Sequence, residues 1–372
     1  MLARRQFLQF AATGATLALL PGSAWGAARG GVDRRFVFII QRGAADGLNI
    51  IVPTRDPDYA RLRQELAVTG GLPLDADFAL HPALEETAKL YASKQALFVH
   101  AVASAYRDRS HFDGQNVLES GGTAPYQHAD GWLNRMSLAL PKAKGEAIAI
   151  APTVPLALRG RAEVESYAPA RLKEPGEDLL RRVGDLYAGD AQLGPLWAAA
   201  LDARKIADGS DAKQLGAVAA KFLVAPSGPR IAMIETNGWD THSGEDGRLK
   251  NQLTALDKLV AALRDGLGPA WDSTVVLVAT EFGRTAALNG TGGTDHGTAS
   301  AAMLLGGGVA GGRVLADWPG LSQGALYQGR DVKPTASLED LIAGVAADGW
   351  GVGPAALFPG RQVKPRPGLL RA

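Results

Sequence analysis

Three short polar clusters carry most of the acid and imidazole chemistry in this chain. Asp240-Thr241-His242 follows the apolar run 231–234, Glu281 and Arg284 follow the run 275–280, and Asp295-His296 precedes the run 301–305. Histidine is scarce, with six in 372 residues, and two of the six lie here within two residues of an aspartate. In an extended segment, residues two apart point to the same side, so Asp240 and His242 can grip one ion. Oxygen and imidazole ligands without a thiol suit a hard or borderline divalent cation: zinc, manganese, calcium or magnesium. The plainer reading makes Asp240 a turn cap and His242 the cap of a helix starting near Gly244. Neighbours on a strand diverge, so at most one of Asp295 and His296 faces a given ion unless the loop bends. Glu235 and Glu281 each end an apolar run and would face the same crevice; for Glu281 the structural alternative is a salt bridge with Arg284.

Ser110-His111-Phe112-Asp113 reads two ways. As structure, Ser110 is an N-cap with Asp113 completing something like a capping box. As chemistry, a hydroxyl at a helix N-terminus sits where anions are favoured, as a nucleophile attacking phosphorus or sulfur requires. Arg109 and Arg284 are candidates to hold the anionic part of a substrate. Other patterns lead nowhere. Gly290-Thr291-Gly292-Gly293 lacks the Gly-Lys-Ser/Thr of a phosphate loop, and no apolar run leads into a Gly-x-Ser-x-Gly elbow. His81, His100 and His128 lie outside these strand-end clusters and read as packing or surface residues.

These clusters need a scaffold that gathers strand ends. Runs at 36–40, 96–102, 147–150, 231–234, 275–280 and 301–305 read as buried strands, alternating with helical patterns such as 82–94 and a helix running up to Ser120. That alternation implies an α/β protein with a doubly wound, mostly parallel sheet, whose sites lie at the carboxyl edge. From 163 to 221 the pattern is helical with no strand-like run, which predicts a helical insertion or cap; two sheet-covering helices with long loops are the alternative. The segment 336–347 reads as one more helix, and 354–367 as an irregular, proline-rich strap.

The first 26 residues read as an address. Arg4-Arg5-Gln6-Phe7-Leu8 is a twin-arginine core, followed by an apolar stretch to Leu20 and small residues around Ala24 suited to cleavage. The stretch is too short for a stable membrane span, so no anchor is expected after processing. Export through the twin-arginine translocase would place residues 27–372 in the periplasm or outside the cell. With no cysteine, that domain relies on a packed core. Losing Arg4 and Arg5 leaves 37 basic against 38 acidic residues. A near-neutral chain gives no electrostatic case for nucleic acid or anionic membranes.

Five motifs taken in order resemble the bacterial family known as domain of unknown function 1501, whose members typically carry a twin-arginine signal. They are Arg-Gly-Ala-Ala-Asp-Gly-Leu-Asn (42–49), Ser-His-Phe (110–112), Gly-Trp-Asp-Thr-His (238–242), Glu-Phe-Gly-Arg-Thr (281–285) and Gly-Thr-Asp-His-Gly (293–297). Ala44-Ala45 stands where members often show Gly and a polar residue. That family is similar to the alkaline phosphatase and sulfatase superfamily. The resemblance implies Asp46 as a metal-binding Asp after the first strand and Ser110 as the nucleophile. It also implies Glu235, Asp240 and His242 in the next ligand group, and His296 as the final imidazole. Glu281-Phe282 replaces an Asp-His pair, and the gap from Asp240 to His242 is two residues instead of four.

The expectation is an exported metal-dependent hydrolase of a phosphate or sulfate ester. Asp46, Glu235, Asp240, His242, Glu281, Asp295 and His296 are its candidate ligands. The rival is an inactive periplasmic binding or assembly factor on the same fold, which the altered metal motif favours.

Overall fold

The computed structural model describes residues 33–141, 146–168 and 212–371, with isolated helical positions at 183, 186 and 187. The expected signal peptide and most of the expected insertion lie outside the described residues.

The main sheet has nine strands. β1 (Arg35–Gln41) sits centrally, followed along the chain by a small separate sheet of β2 (Ile51–Pro53), β3 (Leu72–Pro73) and β4 (Phe78–Leu80). The main sheet continues with β5 (Ala96–Ala103), β6 (Ala147–Ile150), β7 (Val164–Ser166), β8 (Ile231–Thr236), β9 (Thr274–Thr280), β10 (Ser300–Leu305), β11 (Arg313–Leu315) and β12 (Ala336–Ser337). The order is β11-β5-β10-β9-β1-β8-β6-β7, with β12 beside β5. β1 pairs in parallel with both β8 and β9, while β10 runs antiparallel to β5 and β9. The sheet is therefore mostly parallel, with one reversed strand.

Alternation along β1 explains why helices cover both faces. Phe36, Phe38 and Ile40 join one core with Trp132, Leu133 and Met136 of α3 (Trp132–Ala139) and Leu341, Ile342 and Val345 of α6 (Leu338–Trp350). Val37 and Ile39 point the other way. They meet Leu90 of α1 (Glu85–Ala92), Val218 and Leu223 of α4 (Ala212–Val224) and a leucine stripe on α5 (Glu245–Leu267). That stripe, Leu249, Leu253, Leu256, Val260, Leu263 and Leu267, recurs every three or four residues, the spacing of one helix face. Asp246 in the first turn suits the positive end of the helix dipole. Fully burying each such apolar side chain contributes about 1.5–3 kcal/mol. Close approach of α4 to α5 depends on Gly216, where a Cβ would stand 2.2 Å from the Leu259 carbonyl oxygen.

Two expectations need correction. The stretch 163–221 does contain a strand, β7, paired in parallel with β6 at the sheet edge. Its residues are half-buried or exposed, so it carries no apolar run for a sequence pattern to detect. At the other end of that stretch α4 packs against the sheet as an ordinary covering helix. The last long helix spans Leu338–Trp350, because 336–337 serve as a short strand against β5 and Ser337 caps the helix. Among the described residues, no helix is long and apolar enough to cross a membrane.

Candidate metal centre

The carboxyl ends of β1, β8 and β9 open onto one crevice beside the central strand, the place where a doubly wound sheet exposes its loops. β8 leads to Asp240 and His242, and β9 to Glu281, Phe282 and Arg284. α2 (His111–Ser120) brings His111 in at its first position. Because β10 is antiparallel, the residues before it reach the same edge, and an isolated bridge joins Arg284 to His296. Gly43 closes the floor. Its backbone N–H donates to Glu281 Oε1 at 2.9 Å, and a Cβ there would lie 2.6 Å from the Asp240 nitrogen.

Three imidazoles and one carboxylate converge. His111, Asp240 and His296 each offer a ligand atom within 4.8 Å of the others. His242 Nε2 adjoins them, 3.1 Å from Asp240 Oδ1 and 2.9 Å from His296 Nε2. His111 Nε2 lies 3.4 Å from Asp240 Oδ2, and His296 Nε2 lies 3.3 Å from Asp240 Oδ1.

What faces the far side of each ring decides the chemistry. His111 Nδ1 meets Glu281 Oε1 at 2.9 Å, His242 Nδ1 meets Asp295 Oδ1 at 3.1 Å, and His296 Nδ1 meets the Arg109 carbonyl at 3.0 Å. A carbonyl and an ionised carboxylate only accept, so each Nδ1–H donates outward. A ring in its neutral form then turns an Nε2 lone pair inward, toward Asp240 and the other rings. Such lone pairs repel one another unless a proton or a metal cation sits among them. Outer partners that orient metal-binding histidines have this form. His111 Nε2 is also buried with no hydrogen-bond partner, as an atom reserved for a ligand would be. The donor set fits a divalent cation.

Electrostatics points the same way. Burial works against ionisation of Glu281, but hydrogen bonds from His111, Gln115 and the Gly43 N–H hold its pKa below the usual value. Asp240 is likewise resisted by burial yet kept low by the hydrogen bond and charge of Arg284. Burial, and then the nearby His111, lower the pKa of His296 and favour its neutral, ligating form. His111 moves up, because its bond to Glu281 outweighs burial. A cation would compete with that proton.

The family described as "Protein of unknown function (DUF1501)" matches residues 33–357. The chain belongs to that family. No curated protein matches it. Three solved structures illustrate its distant likenesses. The C-terminal periplasmic domain of EcEptC from Escherichia coli is 12% identical, with 92% of this chain and 91% of that one covered and a TM-score of 0.43. A phosphonate monoester hydrolase of Agrobacterium radiobacter is 11% identical, with 90% and 79% covered and a TM-score of 0.38. Alkaline phosphatase from the Antarctic bacterium TAB5 is 10% identical, with 76% and 94% covered and a TM-score of 0.38.

In this DUF1501 chain the candidate residues sort by geometry. Asp240, His242 and His296 meet at the cluster. Glu281 and Asp295 lie behind His111 and His242, on the Nδ1 side of each ring. Asp46 is elsewhere: Arg63 grips both its oxygens, at 2.6 and 2.8 Å, and the pair is fully buried beside Glu245. Glu235 is taken by Arg42, which also binds Glu119 at 2.8 Å. Neither arginine assignment to a substrate anion fits. Arg284 is buried, with Nη1 on Asp240 at 2.7 Å and Nε on Thr294. Arg109 puts its guanidinium on Asp331 and Gln328 and presents its carbonyl to His296. Ser110 stands at the N-cap position of α2, but its side chain makes no capping hydrogen bond. No Glu281–Arg284 salt bridge forms, since Arg284 turns to Asp240.

The residue that sequence reasoning missed is His111. Ser110-His111 drew attention only for its hydroxyl, although His111 was the one scarce histidine left without a role. His100 and His81 are structural. His100 Nε2 bonds the Ile51 carbonyl at 2.8 Å between Phe78 and Trp318, and His81 Nδ1 accepts from the Ala83 N–H.

Proposed function

We propose that this protein is an exported, divalent-metal-dependent hydrolase of a phosphate or sulfate ester. One observation carries the reading: the Nε2 atoms of three histidines converge on Asp240, while each Nδ1 meets an acceptor behind it. His111, Asp240, His242 and His296 would hold the ion. Three imidazoles with one carboxylate favour zinc over calcium or magnesium, which prefer all-oxygen shells. When bound, the cation supplies positive charge for the oxygens of the ester.

The chain's own residues do the rest. Ser110, next to His111 and free of cap duty, is the candidate attacking hydroxyl at the start of α2, where the helix dipole favours an anion. Arg284 holds Asp240 ionised from beneath. Arg330 is 42% exposed beside the cluster, with Nη2 on the His296 carbonyl, and it replaces Arg109 and Arg284 as the candidate contact for the anion. The export reading rests on Arg4-Arg5 and the apolar stretch behind them.

A second reading, a non-catalytic binding factor, is favoured by the Asp46–Arg63 pair. It removes one expected ligand and leaves a single ligand cluster among the described residues. One experiment separates the readings. Protein purified without chelators is analysed for metal, then assayed on aryl phosphates, phosphodiesters and aryl sulfates. Stoichiometric zinc with turnover supports the hydrolase. Zinc without turnover on any of them supports the binding factor, and no metal at all removes both metal-based readings.

A further inference from the structure

Phe112 follows the candidate ligand His111 directly, yet its ring is 82% exposed. A single apolar side chain in water needs no explanation, but this one does not stand alone. A second aromatic stands close by. Tyr126 is 70% exposed and adopts φ 60°, a left-handed backbone that is an outlier for so bulky a residue. Two ties hold it there: its N–H donates to Asn116 Oδ1 at 2.7 Å, and its hydroxyl faces the Asp113 carboxylate. Both ties lead to α2, on which Phe112 and Asn116 are four residues apart and share a face. Strained backbone maintained by specific bonds collects at ligand contacts. Here it fixes an aromatic ring in water and ties it to α2, the helix that carries Phe112.

The surroundings indicate what lies on the rings. An aryl group gains most from an enclosed apolar slot, and these rings are open. Their neighbours are polar. Asn116 and Gln127 each spend the amide oxygen internally, on Tyr126 and on Thr123, leaving their NH2 groups to donate outward. Open aromatic faces rimmed by amide donors match a sugar ring. Its C–H face is drawn to the negative π-face, and its hydroxyls take the polar rim.

We propose that Phe112 and Tyr126 form a stacking ledge for a pyranose ring, so that the ester at the cluster is one borne on a carbohydrate chain. This rests on the hydrolase reading for the position of the ester, but the ledge can be tested apart from it.

The test is retention of the mature protein on immobilised dextran sulfate and on immobilised phosphorylated mannan, with plain dextran as control. Salt at about 0.3 M screens simple charge attraction. The expected result is retention on at least one charged resin, weakened about tenfold in Phe112→Ala and in Tyr126→Ala. Tyr126→Phe keeps the ring and should hold on nearly as well. Zinc content, measured on the same samples, should not change. Retention equal in wild type and both alanine variants overturns the ledge, as does failure of the wild type to bind either resin. A Phe112-dependent affinity for phenyl sulfate without one for the polysaccharides overturns the carbohydrate assignment. Protein that holds no zinc but keeps ring-dependent retention supports the ledge and removes the hydrolase reading.

Discussion

The backbone carbonyl of Arg109 lies 3.0 Å from Nδ1 of His296, and this contact sets which nitrogen of His296 faces the cluster. Arg109 reaches that orientation with φ 63°, a strained value for a residue with a side chain. Its guanidinium is anchored on the buried Asp331, through Nε at 2.9 Å and Nη2 at 2.7 Å, and Thr298 donates to the same oxygen. Asp331→Asn should loosen this strut and lower zinc affinity about 10–100-fold, the usual effect of losing an orienting partner. Competition with a chromophoric chelator measures it. Unchanged affinity would mean that the carbonyl contact does not matter.

His111 is the candidate ligand that local sequence patterns do not announce. His111→Ala and Asp240→Ala should each strip most of the metal, whereas His81→Ala, with its ring bonded only to a nearby backbone N–H, should not. Elemental analysis of the three variants decides, and equal occupancy would contradict the ligand set.

For Ser110 the missing cap bond sharpens the expectation. A capping serine replaced by alanine loses ~1 kcal/mol; with no such bond here, Ser110→Ala should unfold at nearly the wild-type denaturant midpoint. If Ser110 attacks the ester, the variant loses turnover while retaining zinc. A stable, fully active Ser110→Ala would remove the nucleophile assignment.

Two buried groups should shape stability against pH in opposite directions. Burial, reinforced by the neighbouring Asp46, pushes Glu245 up to about 8. A folded pKa above the unfolded one means that the folded state binds the extra proton. Stability from this group is therefore present below about 4.5 and declines as pH rises from there to about 8. Glu245→Gln should flatten that limb in urea titrations across this range, and an unchanged slope would rule the group out.

His100 lies at the acid end. Burial brings it down to about 4, so the unfolded chain takes up a proton before the folded one does. Stability should fall as pH drops from about 6.5 to about 4. Following the His100 ring resonances by NMR checks this: titration near 6.5 in the folded protein would contradict the assignment.

Local spacing in the chain was enough to find the strands at 36–40, 96–102, 231–234 and 275–280, because a strand buried on both faces must be apolar throughout. It was also enough to single out Asp240, His242 and His296, since scarce residue types near a strand end are visible one segment at a time. Only the tertiary structure decided their company. His111 meets Glu281 across 170 positions and Arg42 meets Glu235 across 193. Asp46 is paired with Arg63, a choice invisible among 39 basic and 38 acidic side chains. Such pairings leave no periodic trace in the sequence. They follow from which strand ends the sheet order places side by side, and from the requirement that every buried charge find a partner. The reversed direction of β10 is the clearest case. Nothing in its apolar run distinguishes parallel from antiparallel pairing, yet that direction alone brings His296 to the same edge as Asp240.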